Sequence, residues 1–440
     1  MSFSTGKSRI SRRRFAQVSA GVAGAAIAAP AAVGARSRRY HPAMLQTDPV
    51  AGKVLMWAYP LVGGGDQAAN EELWASVASS FNAEFPDVEV QVEVQPWTQR
   101  NEKLTTALAA NAGPDVGYLN DDFIPQHGGD GNLQPLDDVL GVDAADFTES
   151  SLASMSVDGT LYALPILGSV TTMVYNLNIF NELGISEFPG TWDELLELGP
   201  TIRDAGYKLT SYAGSLESSL NHSYFPHLWQ ADGDVLNEDM TASAFNSEAG
   251  IEALEFVKTL YQEEFIDQGE AVTPPPPGGG LVMEGQVAVN MYADNNGTRQ
   301  YVEAWGGEDT VRIGPPLEHK VQTSYGTSAG FGVFKNAQDP DAAKAWVKYI
   351  TGPEAMPEII GPGGYMSPRA SLVGLHEGDP ILGEFEKYVD QMHGGVRHRL
   401  ARQIISTMAP YLQAAFIGDQ SVEDALATAA DDVDRLLERG

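Results

Sequence analysis

A nucleophilic serine is the first chemistry that the residue types of this chain suggest. Residues 326–330 read G-T-S-A-G and match the G-x-S-x-G nucleophile elbow, in which the serine sits exposed between a strand and a helix. Potential partners downstream are His376, His393 and His398. Residues 331–334, however, are typical of a strand, whereas the elbow needs a helix there. A serine hydrolase that uses Ser328 is therefore a disfavoured alternative, because short motifs often match by chance.

Other common catalytic and metal-binding patterns have no counterpart in the sequence. The chain contains no cysteine, which excludes disulfides, thiolate metal sites, a cysteine nucleophile and a lipidated N-terminal cysteine. There is no H-E-x-x-H motif, no phosphate-binding loop and no G-x-G-x-x-G after a strand, and the eight histidines are scattered without metal-ligand spacing. We expect no catalytic residue, no metal and no cofactor.

The net charge of the chain limits its partners. It is −32 overall, and residues 1–35 contain five basic residues and no acidic ones, so the remainder carries −37. A field of this sign repels nucleic acid and anionic membrane surfaces, and it disfavours a phosphorylated or carboxylate ligand. We expect no nucleic acid partner.

The elements that must position any site alternate between strand and helix. Residues 53–57 are a short apolar strand, and in 88–94 valines alternate with polar residues, which predicts a second strand. Apolar residues recur at helical spacing between these two strands and again over 98–112, and a third strand is predicted at 116–119. This alternation indicates an α/β fold with mostly parallel sheets. A chain of 440 residues is expected to form two domains.

The most informative stretch is 157–199, in which the segments DGT, YALP, VYN and TWDEL follow one another. Thr191 and Glu194 have capping-box spacing and predict a helix start. This order of segments resembles the central signature of the extracellular solute-binding proteins of ABC importers, in the sugar-binding (maltose-binding-like) family 1. The resemblance extends from about Lys53 to the C-terminus.

The resemblance implies a type II periplasmic-binding-protein-like fold with two α/β lobes and a ligand cleft between them. Lobe 1 is expected over 52–166 and 318–362, and lobe 2 over 167–317 and 363–440. The chain is expected to cross between the lobes near 165–169, 312–318 and 361–369. Residues 281–291 resemble a strand of the family.

The resemblance also places ligand-binding residues on the loops that face the cleft. In relatives such loops carry polar groups for sugar hydroxyls and aromatic rings that stack on sugar faces. The expected ligand-binding residues are Tyr59, Asp66, Asn120, Asp121, Asp122, Ser169, Asn221, His222, Tyr224, Tyr292, Asp294, Asn295, Tyr365 and Arg369. Tyr224 is expected to be the main stacking ring. Core or scaffold roles are expected for Trp97, Tyr175, Trp192, Trp229 and Trp346.

The function implied is that of the substrate-binding component of an ABC importer. It would bind a neutral mono- or oligosaccharide by hinge closure, act as a monomer, and deliver the sugar to the permease subunits. A polyamine or other cationic solute is an alternative if Asp121, Asp122 and Asp294 converge on the cleft. A surface adhesin that binds glycan without transport is a further alternative.

The first 35 residues are typical of an export signal. Residues 11–15 read S-R-R-R-F, the twin-arginine pattern, and an apolar Ala/Gly-rich segment and small residues at 33–35 follow. We expect a twin-arginine signal peptide over 1–35 and a flexible lead over 36–51. The protein would be exported to the periplasm or the cell surface without a lipid anchor.

Overall fold

The structure is a computed structural model that describes residues 49–62, 66–216, 219–274 and 278–439. The predicted signal peptide over 1–35 and residues 36–48 of the predicted lead lie outside the described residues. Within the part of the chain that the structure describes, no helix is long and apolar enough to cross a membrane.

The described residues form an α/β structure with strands and helices in alternation. The strands are β1 Gly52–Ala58, β2 Val88–Val94, β3 Val116–Asn120, β4 Ser156–Val157, β5 Thr160–Leu161, β6 Ala163–Gly168, β7 Thr171–Asn176, β8 Lys208–Thr210, β9 Val287–Asp294, β10 Val311–Gly314, β11 Ser324–Tyr325, β12 Ser328–Val333 and β13 Met392–His393. The helices are α1 Gln67–Glu84, α2 Arg100–Ala109, α3 Ile124–Gly129, α4 Asp137–Leu140, α5 Glu149–Ser154, α6 Leu177–Glu182, α7 Trp192–Asp204, α8 Tyr224–Gln230, α9 Glu248–Gln262, α10 Gly280–Met283, α11 Asn295–Trp305, α12 Pro340–Ile350, α13 Met356–Ile360, α14 Leu382–Glu386, α15 Ala401–Ile417 and α16 Val422–Leu437.

The first sheet has the strand order β2-β1-β3-β12-β6 and forms lobe 1. β1 is parallel to β2 and β3, and β12 runs antiparallel between β3 and β6. The apolar face of α1 buries Trp74, Val77 and Phe81, and α12 contributes Trp346. Burial of the Trp74, Phe81 and Trp346 rings contributes to the hydrophobic stabilisation of the lobe.

The second sheet has the order β10-β7-β9-β8 and forms lobe 2. Its two faces pack in two separate hydrophobic clusters, since successive residues of β7 point to opposite sides: Met173 and Tyr175 lie in one cluster and Val174 in the other. α9, α15 and α16 pack together on the larger cluster. The capping box that the sequence predicts at α7 is confirmed, with Thr191 and Glu194 making the reciprocal bonds.

The predicted strand over 281–291 is partly wrong. Residues 280–283 form the short helix α10, and β9 begins only at Val287. The apolar residues 281–283 belong to this helix. The prediction failed because a short apolar run does not distinguish a helix from a strand.

The chain passes between the two sheets at three places. It leaves β6 at Gly168 and enters β7 at Thr171. Residues 318–325 still contact lobe 2, since Lys320 N–H donates to the Gln230 carbonyl. We therefore propose that the second crossing lies at 326–328, between β11 and β12, rather than at 312–318. At the third crossing, Met366 forms an antiparallel bridge with Gly168.

The lobe boundaries of 52–166 with 318–362, and of 167–317 with 363–440, are proposals that the core clusters help to place. The lobe 1 cluster draws its buried side chains from residues between Val54 and Ile360, and the larger lobe 2 cluster from residues between Met173 and Val433. Because residues 318–325 contact lobe 2, we propose that this segment belongs to lobe 2 rather than to lobe 1.

Candidate functional site

The carboxyl ends of β1 and β3 meet at one edge of the lobe 1 sheet. Tyr59 follows β1, Asn120 ends β3, and Asp121 comes next. In open α/β sheets this edge is where ligands bind. The structure therefore brings together three of the residues that the sequence predicts for the site.

Asp121 is a buried carboxyl, with 2% of the residue exposed. Its Oδ1 accepts the Asp122 backbone N–H at 2.9 Å and the Thr327 hydroxyl at 3.4 Å. Burial, and then the neighbouring Asp122 carboxylate, raise the pKa of Asp121 from 3.8 to about 7. The site thus contains a carboxyl that is partly protonated near neutral pH, able to donate as well as to accept a hydrogen bond.

Asp122 pairs with a residue of the opposite lobe. Its Oδ2 lies 2.6 Å from a guanidinium nitrogen of Arg402, the second residue of α15. Its Oδ1 is buried and has no hydrogen-bond partner among the described residues. Arg402 also lies over the Phe123 ring at 5.4 Å, and Arg100 of α2 lies over the same ring at 4.8 Å. This cluster joins the two lobes at the edge of the site.

The sequence predicts a core or scaffold role for Trp97, and the core role is wrong, because the residue is 40% exposed. Its ring stacks on Tyr59 at 4.9 Å with an interplanar angle of 24°, and its N–H donates to the Pro60 carbonyl at 3.3 Å. The loop after β2 turns the indole towards the carboxyl end of β1 rather than into the sheet. Tyr59 is only 4% exposed, so the partly exposed aromatic surface is that of Trp97, which is backed by the Tyr59 ring. It lies beside Asn120, to which Arg100 donates at 2.8 Å.

The crossing segments contribute hydroxyl groups. Ser169 Oγ accepts the Thr327 N–H at 3.3 Å, and the Thr327 hydroxyl accepts from Asn120 Nδ2 at 3.3 Å. Ser169, Thr327 and Asp121 line a cavity of about 490 Å³ between the lobes, the hinge cavity. Further hydroxyls on its wall come from α5 and the third crossing: Ser150, Ser151, Ser154 and Ser367.

Lobe 2 meets this network through a glycine pair. A methyl group at Gly394 would lie 3.8 Å from Asp121 Oδ2, and one at Gly395 would lie 3.1 Å from Asn221 Nδ2. The backbone of 394–395 therefore runs between Asp121 of lobe 1 and Asn221 of lobe 2. Stacking of His393 on Trp229 at 4.1 Å holds this segment in place.

Three tyrosines complete what we call the cleft site: Tyr118, Tyr325 and Tyr365. Burial raises the pKa of Tyr118, and the nearby Tyr365, Asp121 and Tyr325 raise it further. Burial likewise raises the pKa of Tyr365 to about 12, with an added contribution from the Asp294 carboxylate. The Tyr118 hydroxyl therefore lies within electrostatic range of Tyr325, Tyr365 and Asp121, and the Tyr365 hydroxyl within range of Asp294.

His222 and Tyr292 also lie near the cleft. The His222 ring contacts the Tyr325 ring edge-on at 4.8 Å. Loss of hydration lowers the pKa of His222, and the Asp294 carboxylate opposes that fall. The Tyr292 hydroxyl is 2.9 Å from the ring of His227, a buried histidine that sequence reasoning did not single out. Burial lowers the pKa of His227 to about 3, so it is neutral.

Two predicted site residues belong to the packing instead. Tyr224 is fully buried in the lobe 2 core, and its hydroxyl donates to the Gly250 carbonyl at 3.1 Å. Arg369 is also buried, and it pairs with Asp146 at 2.8 Å and lies over the Phe147 ring. Because both side chains are buried in the packing, we place Tyr224 and Arg369 outside the proposed site.

Two further predicted residues are occupied by local structure. Asp66 caps α1, accepting the Ala68 N–H at 2.9 Å. Asn295 is buried and donates to the Gly363 carbonyl at 2.9 Å, which ties α11 to the third crossing. We therefore place Asp66 and Asn295 outside the proposed site.

Ser328 does not stand on a nucleophile elbow. It is the first residue of strand β12, paired with Gly168 across the sheet, and the next helix is α12, which starts at Pro340. Within the described residues, no hydrogen bond joins Ser328 to a histidine. The strand-turn-helix context that the motif requires is therefore missing.

The sequence profile of the bacterial extracellular solute-binding proteins matches residues 64–357 of this chain. The chain belongs to this family. Its match runs from the first helix of lobe 1, through the whole of the lobe 2 sheet, to α13, and so includes most of the residues of the cleft site.

Individual relatives of this solute-binding protein are distant. A protein of Brucella abortus that is named as a binding protein is 26% identical over 61% of this chain, and the match covers 65% of that protein's length. The maltotriose-binding protein of Pyrococcus abyssi is 31% identical over 43% of this chain and 39% of its own. The structure of the sugar-binding protein MalE of Xanthomonas citri superposes with a TM-score of 0.75 at 21% identity, covering 88% of this chain and 98% of that one. The last similarity establishes the two-lobe fold.

Proposed function

We propose that this solute-binding protein binds a neutral mono- or oligosaccharide in the cleft site and delivers it to the permease subunits of an ABC importer. The observation that carries the proposal is the meeting of a hydrogen-bond network with an aromatic surface at the cleft. Asn120, Asp121 and Thr327 supply donors and acceptors, and the partly exposed Trp97 indole, backed by the buried Tyr59 ring, supplies a face on which a sugar ring can stack.

Hinge closure follows from the placement of these groups. Asp121 belongs to lobe 1, Asn221 to lobe 2, and Thr327 to a crossing. A ligand that touches all three gains its full set of contacts only when the lobes approach. Its differential affinity then favours the closed arrangement, and the permease would recognise that form of the monomer.

The charges of the cleft favour a neutral ligand over a polyamine. Asp121 and Asp122 do lie together, but the Arg402 guanidinium already pairs with Asp122, and Arg100 lies over the adjacent Phe123 ring. The positive charges of Arg402 and Arg100 therefore balance the carboxyls of Asp121 and Asp122, and Asp121, with a pKa of about 7, is itself only partly ionised near neutral pH. Little net negative charge is left to attract an amine.

We further propose that the protein leaves the cytoplasm by the twin-arginine route, on the S-R-R-R-F pattern at 11–15. The periplasm or the cell surface is then its location. A lipid anchor is not expected, because the sequence has no cysteine to carry one.

Calorimetric titration with neutral sugar ladders tests the proposed ligand. We expect saturable binding in the micromolar range, about −8 kcal/mol, for at least one of four ladders of one to four units: malto-, chito-, arabino- and galacto-oligosaccharides. Spermidine and putrescine serve as cationic comparison ligands. Binding of a polyamine without binding of any sugar would contradict the proposal.

Trp97→Ala tests the aromatic surface. With the sugar that binds the unchanged protein, we expect about a tenfold loss of affinity, since a stacked ring contributes about 1–1.5 kcal/mol. Val142→Ala, at a position that is 91% exposed, is the control for a surface truncation. Equal affinities of the two variants would remove Trp97 from the site.

A further inference from the structure

Residues 318–325 lead from the lobe 2 sheet to the second crossing, and we call them the return segment. They come after strand β10 and end at Tyr325, next to the crossing that carries Thr327 of the cleft site. The regular structure within this segment is the two-residue strand β11. Contacts with the body of lobe 2 therefore decide where the return segment, and the cleft residues that follow it, are held.

Gln230, the last residue of α8, lies at the centre of these contacts and is 0% exposed. Its backbone carbonyl accepts the N–H groups of Lys320 at 2.8 Å and Val321 at 3.0 Å. A carbonyl in the last turn of a helix has no partner within that helix, so the return segment satisfies this one. The Gln230 side chain binds on two sides. Its Nε2 donates to the Thr323 carbonyl at 2.9 Å, and its Oε1 accepts the Trp192 indole N–H at 2.8 Å.

The Trp192 indole is itself held between two rings. It stacks on Phe256 of α9 at 4.4 Å, and on His319 of the return segment at 4.2 Å with an interplanar angle of 4°. Because Trp192 begins α7, three helices of lobe 2 hold either the Gln230 amide or the segment bonded to it. The Gln230 side chain thus has a fixed partner in the body of lobe 2 and another in the return segment.

From Thr323 the contacts continue to the cleft site. The Thr323 hydroxyl donates to the Gln391 carbonyl at 2.8 Å, and the next two residues, strand β11, pair in parallel with β13 at Met392–His393. The Gly326 N–H then donates to the His393 carbonyl at 2.9 Å. The glycine pair 394–395 of the cleft site follows directly. The position of Thr323 therefore affects both segments that lobe 2 brings to the cleft.

We propose that Gln230 is a positioning residue for ligand binding, which fixes the lobe 2 end of the second crossing and so confines the hinge motion there to 326–328. A hinge is a few residues that absorb the backbone change between parts that stay rigid. Among the described residues that line the hinge cavity, Gln230 does not occur, so it acts on the ligand through the return segment. This inference rests on the proposed function and adds to it a residue outside the cleft site.

Gln230→Met tests the positioning role without any ligand. Methionine has a similar length but leaves the Trp192 N–H and the Thr323 carbonyl buried without a partner. We expect hydrogen exchange of the backbone amides of 320–326 to become about tenfold faster in the ligand-free variant. Gln413→Met is the matched control, since Gln413 is a lobe 2 glutamine that donates to the Gly214 carbonyl at 3.1 Å. Unchanged exchange at 320–326 in Gln230→Met, or an equal rise in the control, would overturn the positioning role.

The affinity for sugar, measured where all variants are folded, tests the consequence for binding. With the sugar that binds the unchanged protein, Gln230→Met should bind about tenfold more weakly, and Gln413→Met should bind as before. Thr323→Val keeps the shape of the side chain but removes the bond to Gln391, and it should weaken binding about threefold. This milder variant decides the matter if Gln230→Met does not fold.

Two outcomes of these titrations would overturn the positioning role: unchanged affinity in the Gln230→Met or, if that does not fold, the Thr323→Val variant, and an equal loss in Gln413→Met. Absence of any sugar binding by the unchanged protein would instead overturn the proposed function. Hydrogen exchange of the ligand-free variants would then still decide whether Gln230 fixes the return segment.

Discussion

An Asp121→Asn variant is expected to gain stability relative to the unchanged protein as the pH rises from 4 to 8. The folded-state pKa of Asp121 is about 7, against an ordinary value of 3.8. Between pH 3.8 and about pH 7, the folded protein holds a proton on Asp121 that the unfolded chain has released. The unchanged protein therefore loses stability as the pH rises through this range, and the loss is complete above about pH 7. At about 1.4 kcal/mol per pH unit, the full effect is about 4 kcal/mol.

The measurement is the free energy of unfolding by urea at each pH for both proteins. Asparagine cannot ionise, so the difference between the two curves isolates Asp121 from the other titrating groups. Asp239→Asn removes one carboxylate at an exposed position and is the control. Parallel curves for Asp121→Asn and the unchanged protein would show that this carboxyl titrates at an ordinary pH.

An Arg402→Ala variant is expected to lose about 2 kcal/mol of stability and to favour a more open arrangement of the lobes. Removal of one partner leaves the Asp122 carboxylate, which is 13% exposed, without its cation. Breaking a fully buried pair in this way costs about 3–5 kcal/mol. We expect the smaller loss of about 2 kcal/mol here because the Arg402 side chain is 45% exposed, so water screens the pair. Urea unfolding measures the loss, and small-angle X-ray scattering of the ligand-free protein measures the opening.

The Asp122→Asn/Arg402→Ala double variant provides the decisive comparison. Because the asparagine carries no charge, we expect it to recover most of the stability that Arg402→Ala loses, with a coupling energy of at least 1 kcal/mol. Arg399→Ala removes a neighbouring exposed charge and is the matched control. Additive effects of the two single substitutions would mean that the pair does not join the lobes in solution.

The sequence predicts the framework of this protein well, because the framework depends on local patterns. The alternating valines of β2 and the capping box of Thr191 and Glu194 both appear in the structure where the pattern places them. The family signature over 157–199 supplies the two-lobe architecture that the local patterns alone leave open.

Side-chain directions were harder to predict, because they depend on contacts between distant segments. Tyr224 and Trp97 both follow irregular segments, where a shift of one residue exchanges a core position for a cleft position; the structure buries the first and exposes the second. Arg402 gave no signal at all, since its partner Asp122 is 280 residues earlier and in the other lobe. The unusual pKa of Asp121 likewise depends on burial that only the assembled lobes provide.

The position of β12 has a consequence for biosynthesis. This strand lies in the middle of the lobe 1 sheet, between β3 and β6, yet the ribosome makes it after every strand of the lobe 2 sheet. Until residue 333 has been synthesised, both β3 and β6 present an open edge that can pair with other chains. The nascent chain is therefore most prone to aggregation during translation of the second lobe, when a chaperone that covers strand edges would help it most.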